Sequence, residues 1–330
     1  MEAIIALAAA NLLSPNVLFF ALGFAAAMAR SDLSIPEAVA KGMSIYLLMA
    51  IGFKGGAGVA ENGLTFQLGL ALVAGAALSA AIPLIAFFLL RAISKLSVTD
   101  AAAVAAHYGS ISIVTFVAMT SMLDTAGVEF EGFMVAVAAI MEAPAILTAL
   151  FLVSGAKSGG AAQSRGKMDP ELMREVMLNS SIVLLIGAFA IGWITGTEGL
   201  AKIEAFIVSP FQGVLCLFLL DMGLIAGRGM RDSRKYLAPP VILFGVMMPL
   251  IGAVLGLAVG NLIGLSVGGV AILMTLCASA SYIAVPAAMR VALPEANPSI
   301  YLTLSLGVTF PFNLTVGISL YLALSQLVGG

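Results

Sequence analysis

Two short polar stretches are placed where they could do chemistry. Gly109-Ser110-Ile111-Ser112, with Thr115 one turn on, and Ala278-Ser279-Ala280-Ser281, followed by Tyr282, each set a Ser-x-Ser pair inside a long apolar run. In hydrocarbon, an unpaired backbone N–H or C=O is costly. A helix is therefore interrupted there only where protein, water or a bound solute satisfies the freed groups. Amides bared at the start of a half-helix carry partial positive charge and suit a small anion. Hydroxyls and opposed carbonyls suit a hard cation such as Na⁺. Gly109, Ser110, Ser112, Thr115, Ser279 and Ser281 are the candidate anion-binding residues. Ser-x-Ser also serves plain helix packing in membranes, and it is the pairing of two such stretches that favours a site.

Ionisable residues inside apolar runs are the second group, because each is expensive there. Glu142, in "IMEAPAIL", precedes Pro144 by two residues and fits a Na⁺ ligand, a proton carrier or a partner for backbone loosened by the proline. Asp221, in "LFLLDMGLIAG", has Arg228 two turns on, which allows a buried pair or a helix cap as readily as a transport role. His107 is the only histidine and lies just ahead of the first polar stretch. A neutral imidazole there could relay protons or contact an anion, or simply be satisfied in the core. Lys54, among the glycines of "GFKGGAG", could line an outer entrance or snorkel to the interface.

The elements that must hold these residues follow from composition. Of 330 residues, 61% are hydrophobic and 10% charged, far fewer charges than a soluble domain carries. A bilayer core needs about 20 apolar residues per helix. The apolar runs predict an all-α polytopic membrane protein of about ten transmembrane helices, at 15–29, 36–54, 64–90, 99–122, 131–155, 172–196, 203–226, 237–260, 266–290 and 298–327. With the N-terminus outside, thirteen of the fifteen Lys and Arg residues fall in inner loops or at their edges, leaving only Lys54 and Lys202 outside. The positive-inside rule then places both termini on the extracytoplasmic side.

The two serine pairs also read as copies. "PAILT" (Pro144–Thr148) matches "PFNLT" (Pro311–Thr315), 34 residues after Ser110 and 32 after Ser279, and "LLMAIG" loosely matches "LLDMGL". Five spans per copy turn the second copy upside-down. The expected organisation is thus a first repeat at 1–155, a cytoplasmic linker at 156–170 and an inverted second repeat at 171–330, with two discontinuous helices crossing near the midplane.

Several stretches resemble the sodium-dependent bicarbonate transporter family. "RVALPEANPSIYLTLSLGVTFPFNLTVGISLY" (Arg290–Tyr321) is the best of them, with "LLMAIGFKGG" (Leu47–Gly56) and "IPEA" (Ile35–Ala38). The resemblance implies a symporter in which HCO₃⁻ is driven by the Na⁺ gradient, a core domain moving against a gate domain, a homotrimer, and a cytoplasmic regulatory protein. It places the anion site at Ser112, Thr115, Ser279 and Ser281. The cation-coupling positions become Ser112, Glu142, Tyr282 and Thr309, with Na⁺ at Ser112, Thr115 and Glu142. The family's Gly-Ser pair is Ile113-Val114 here, its acid is Tyr282, and its Ser-Gly is Ala284-Val285. Losing that acid opens the choice between Na⁺ and H⁺ coupling, and the apolar replacements open a small organic carboxylate as the cargo.

Other classes find less support. No His-Glu-x-x-His, Gly-x-Ser-x-Gly or ATP-binding loop occurs, so neither an intramembrane enzyme nor an ATP-driven pump is expected. Cys216 and Cys277 read as packing residues. No cofactor beyond Na⁺ as coupling ion and no nucleic-acid partner are expected. The expected setting is a bacterial inner membrane.

Overall fold

The computed structural model describes residue 9 and residues 11–63, 65–157, 178, 180–233, 238–282 and 284–329. Among these residues the regular structure is helical throughout. The helices are α1 (Pro15–Met28), α2 (Glu37–Asn62), α3 (Phe66–Ile93), α4 (Val98–Gly109), α5 (Ile113–Ala126), α6 (Met134–Ile140) and α7 (Ala143–Lys157). They continue as α8 (Ser180–Ile207), α9 (Phe211–Ser233), α10 (Pro239–Leu262), α11 (Val267–Ala278), α12 (Ala284–Ala292) and α13 (Pro298–Gly329).

Among the described residues, eight segments are long and apolar enough to cross a membrane, against ten expected for the chain. The other two, α1 and α11, are shorter apolar helices. α11 is short because the chain leaves the helix at Ser279, and α1 because it ends in a left-handed turn at Arg30. Two boundaries also move. The glycines of "GFKGGAG" do not end α2, which runs on to Asn62. A side chain at Gly56 would lie 1.9 Å from the Phe189 carbonyl oxygen and one at Gly52 2.7 Å from that of Leu185, so these two glycines are what lets α8 lie against α2. The expected loop at 197–202 is helical, since α8 only kinks at Gly196 (φ 60°) and turns at residues 208–210. The linker expected at 156–170 lies outside the described residues, apart from the end of α7.

Helices distant in sequence pair closely, α2 with α8 and α1 with α9. At Gly223 a side chain would meet the Phe20 carbonyl oxygen at 2.1 Å, so the second seam uses the same device as the first. α3 packs on α4 and α7, and α10 on α11. These leave α4, α5 and α11 in the interior, where nearly every residue is buried.

Three kinds of interruption shape the interior. Ser110–Ser112 are extended between α4 and α5, and helical structure also lapses from Ser279 to Tyr282. Met141 and Glu142 form a turn between α6 and α7. In α13, Ser305–Thr309 and Asn313–Gly317 are wound as π-helix on either side of Pro311. A proline inside a helix offers no N–H and crowds the preceding turn, and such widening accommodates it.

Candidate functional site

The two extended stretches lie against each other. Ser112 N–H donates to Ser279 Oγ at 2.9 Å, and Ser281 N–H donates to the His107 carbonyl at 2.7 Å. The second stretch thus satisfies an amide of the first, and the last turn of α4 satisfies an amide of the second. Local bonds complete the turn: Ser112 Oγ caps α5 by accepting from Thr115 N–H at 3.2 Å and from the Thr115 hydroxyl at 2.9 Å. Ser279 Oγ donates to Leu276 C=O at 2.9 Å, and Ser281 Oγ accepts from Val285 N–H at 3.4 Å. Gly109 has to be glycine here, because a side chain would fall 2.2 Å from Pro83 Cγ and 2.8 Å from Ala145 Cβ.

Against this background of paired groups, five buried side-chain nitrogen and oxygen atoms among the described residues have no hydrogen-bond partner. They are His107 Nε2, Ser110 Oγ, Glu142 Oε2, Tyr282 Oη and Ser319 Oγ. Four of the five belong to the residues singled out from sequence, and an unmet buried polar group is the mark of a place meant for something else. Ser110 sits in the first extended stretch. Glu142 ends the turn before α7, three residues ahead of Ala145, which abuts Gly109. The Tyr282 hydroxyl lies beside the Ser112 side chain without a well-formed hydrogen bond to it, and its ring packs edge-on against Phe310 at 5.4 Å.

His107 is wholly buried, its ring stacked on Tyr301 at 4.5 Å. Its Nδ1 lies 2.6 Å from the Ala103 carbonyl, which can only accept, so that nitrogen carries the proton. In the neutral ring Nε2 is then an acceptor, which suits a hydroxyl or a proton rather than an anion. Thr309 is engaged: it donates to Gly245 C=O at 2.7 Å and lies 2.5 Å from Tyr108 Oη.

Two predicted residues stand apart from the crossing. Lys54 forms a half-exposed ion pair with Asp124 at 3.4 Å and lies 5.9 Å over the Phe211 ring. Asp221 is buried in α9, but Arg228 is not its hydrogen-bonded partner and donates instead to Leu33 C=O at 2.8 Å.

Two cavities open toward opposite ends of α9, and one of them reaches the second stretch at Tyr282. One, of about 560 Å³, opens at the end of α9 and the start of α13, and Tyr282 with Leu306 and Gly307 lines it. The other, of about 240 Å³, is lined by Asn11, Asn16, Ser121, Thr125, Leu314 and Ile318. It lies toward the opposite end of α9, where Gln212 donates to Ser121 Oγ at 2.9 Å.

Sequence reasoning passed over Asn313, although it lies inside the quoted "PFNLT". Its Nδ2 donates to Ala278 C=O at 2.8 Å, satisfying a carbonyl freed where α11 ends, and Tyr321 Oη donates to its Oδ1 at 2.7 Å. An asparagine in an apolar run was the available signal. Chemically, the crossing offers amides and hydroxyls within an apolar shell, with the buried Glu142 on the turn before α7. Among the described residues no group of three or more His, Cys, Asp or Glu could hold a metal ion, so a cation here would rest on hydroxyls, carbonyls and Glu142.

The sequence matches the Na⁺-dependent bicarbonate transporter superfamily over residues 15–326. That span is nearly the whole chain, and the chain belongs to this superfamily. No curated protein matches it.

Proposed function

We propose that this superfamily member is a secondary active symporter that imports bicarbonate with Na⁺, binding the anion where the two extended stretches cross. The carrying observation is the pair of bonds, Ser112 N–H to Ser279 Oγ and Ser281 N–H to His107 C=O, next to the unpartnered Ser110 hydroxyl. An anion entering there takes over amides and hydroxyls that now pair across the two segments. Na⁺ is drawn to the unpartnered oxygens of Ser110 and Glu142, and the cation's charge favours binding of the anion beside it.

The reading includes an inverted five-plus-five repeat, and the packing supports it. Exchanging the halves turns the α2–α8 seam into the α1–α9 seam and the α3–α4 contact into α10–α11. It also exchanges two cross-half bonds at helix starts. Asp100, in the first turn of α4, accepts from Asn297 N–H at 2.8 Å just before α13, and Glu131, just before α6, accepts from Ser266 N–H at 2.7 Å at the start of α11. Alternating access then consists of opening the crossing first to the smaller cavity and then to the larger one. A homotrimer in a bacterial inner membrane, with both termini outside and a cytoplasmic regulatory protein, completes the proposal on family grounds.

A second reading, transport of a small organic carboxylate, rests on the apolar lining of the larger cavity by Met222, Ile225, Leu302 and Leu306. Uptake of labelled bicarbonate and of labelled acetate into proteoliposomes, with and without an inward Na⁺ gradient, tests both. Na⁺-stimulated bicarbonate uptake is expected. Uptake of acetate alone would select the second reading, and uptake of neither would overturn both.

A further inference from the structure

Tyr282 stands where the second extended stretch meets the larger cavity, and its hydroxyl is one of the five unpartnered atoms. The residue is 8% exposed, so bulk water does not meet that hydroxyl either. Its ring packs edge-on against Phe310, and Met222, Leu302 and Leu306 line the same cavity. Phenylalanine would fill that space without leaving a buried hydroxyl unmet, which is costly in apolar surroundings. What tyrosine adds is one O–H.

The neighbouring hydroxyls decide which way that group can act. A serine oxygen has two lone pairs and one hydrogen. Ser112 Oγ accepts from Thr115 N–H and from the Thr115 hydroxyl, so both lone pairs are taken. Toward Tyr282, whose hydroxyl lies beside it, Ser112 has only its own hydrogen to offer. The Tyr282 hydrogen is therefore left without an acceptor, on a residue that lines the cavity. Two O–H donors side by side suit an oxygen of an anion. A cation needs free lone pairs, which Ser112 lacks, and no carboxylate is among the described residues lining this cavity.

We infer that the Tyr282 hydroxyl donates a hydrogen bond to an oxygen of the transported anion as it passes between the crossing and the larger cavity. Tyr282 is then an anion contact that helps set the affinity for the solute, and not a cation ligand. A hydrogen bond to a charged acceptor is stronger than one between neutral groups, so its loss is read in affinity. The inference rests on the proposed passage of an anion through the crossing.

The test compares full-length wild type with Tyr282→Phe in proteoliposomes. Bicarbonate is varied at saturating Na⁺, and Na⁺ at saturating bicarbonate. The bicarbonate concentration for half-maximal uptake should rise about tenfold or more in the variant, the scale of one hydrogen bond to a charged group. The Na⁺ concentration for half-maximal uptake should stay the same. Melting temperature in solute-free detergent should hold or rise, because the variant loses only an unmet hydroxyl, and this separates lost binding from lost folding. Ser299→Ala removes a hydroxyl from a residue lining the same cavity and should alter neither half-saturation. An unchanged bicarbonate half-saturation in Tyr282→Phe, or a rise confined to Na⁺, would overturn the inference. If wild type imports acetate and not bicarbonate, the bicarbonate reading falls by itself, and the same comparison made with acetate decides the role of Tyr282. Uptake of neither anion by wild type would overturn both.

Discussion

Replacing Ser279 by alanine tests the crossing at one atom. The change deletes the oxygen that accepts Ser112 N–H at 2.9 Å and donates to Leu276 C=O at 2.9 Å. The Leu276 carbonyl retains the Ser279 amide at 3.3 Å, so that loss is small. The Ser112 amide has no comparable substitute, and its residue is only 3% exposed. A buried amide left unpaired costs about 1–3 kcal/mol. That exceeds the roughly 0.6 kcal/mol of an average interhelical bond in a membrane protein, where the groups find new partners. The crossed arrangement should therefore weaken by a factor of about 5 to 150. Two assays read this out: the melting temperature in detergent, expected to fall by about 2–8 °C, and the initial uptake rate in proteoliposomes, expected to fall by at least about fivefold. Ser279→Thr keeps the hydroxyl and should recover most of both. Ser325→Ala is the matched control, since Ser325 Oγ also donates to a helix carbonyl, that of Leu322 at 2.8 Å, but supports no amide across the fold. If Ser279→Ala melts and transports like Ser325→Ala, the crossing bond is incidental and the argument fails.

Further outcomes rest on the same geometry. Gly109→Ala drives a methyl against Pro83 and Ala145 and should destabilise the protein by about 1–3 kcal/mol, seen as a lower melting temperature; an unshifted melting temperature would show the contact is loose. Glu142→Gln should raise the Na⁺ concentration for half-maximal uptake by about tenfold or more, on the scale of one lost charged ligand, while leaving the melting temperature nearly unchanged, because Oε2 has no protein partner to lose. An unaltered Na⁺ dependence would remove Glu142 from the cation path. Lys54→Gln breaks only a half-exposed pair with Asp124, so stability should change by less than about 1 kcal/mol and uptake by less than about twofold. A collapse of uptake in Lys54→Gln would restore that lysine to an anion entrance.

Part of this was legible from sequence because the bilayer penalises polarity so strongly. Serines at 110, 112, 279 and 281 and Glu142 are conspicuous in apolar runs, and a membrane core leaves few reasons for them. The helix limits were less legible. Gly-rich "GFKGGAG" looks like an end, yet Gly52 and Gly56 serve a close seam with α8, more than a hundred residues away, and Gly55 and Gly58 face Gly132 before α6, which local composition does not reveal. The bend at Gly196 resembles a loop because charged residues come after it, but Glu198, Lys202 and Glu204 simply continue α8. The tautomer of His107 and the engagement of Thr309 depend on partners from other turns and helices, and no spacing rule supplies them. Arg30 reads as one more inner-loop cation; only its φ sets it apart.

The most direct measurement asks whether Tyr282 stands at the floor of a cavity that opens to one face and is filled by the transported solutes. With Cys216 and Cys277 replaced by alanine, Tyr282→Cys is exposed to a membrane-impermeant thiol reagent from each side of sealed vesicles. Modification is predicted from the side of Arg228 and Pro298, and slower when Na⁺ and bicarbonate are both present. Equal modification from both sides, or a rate indifferent to the two solutes, would contradict it.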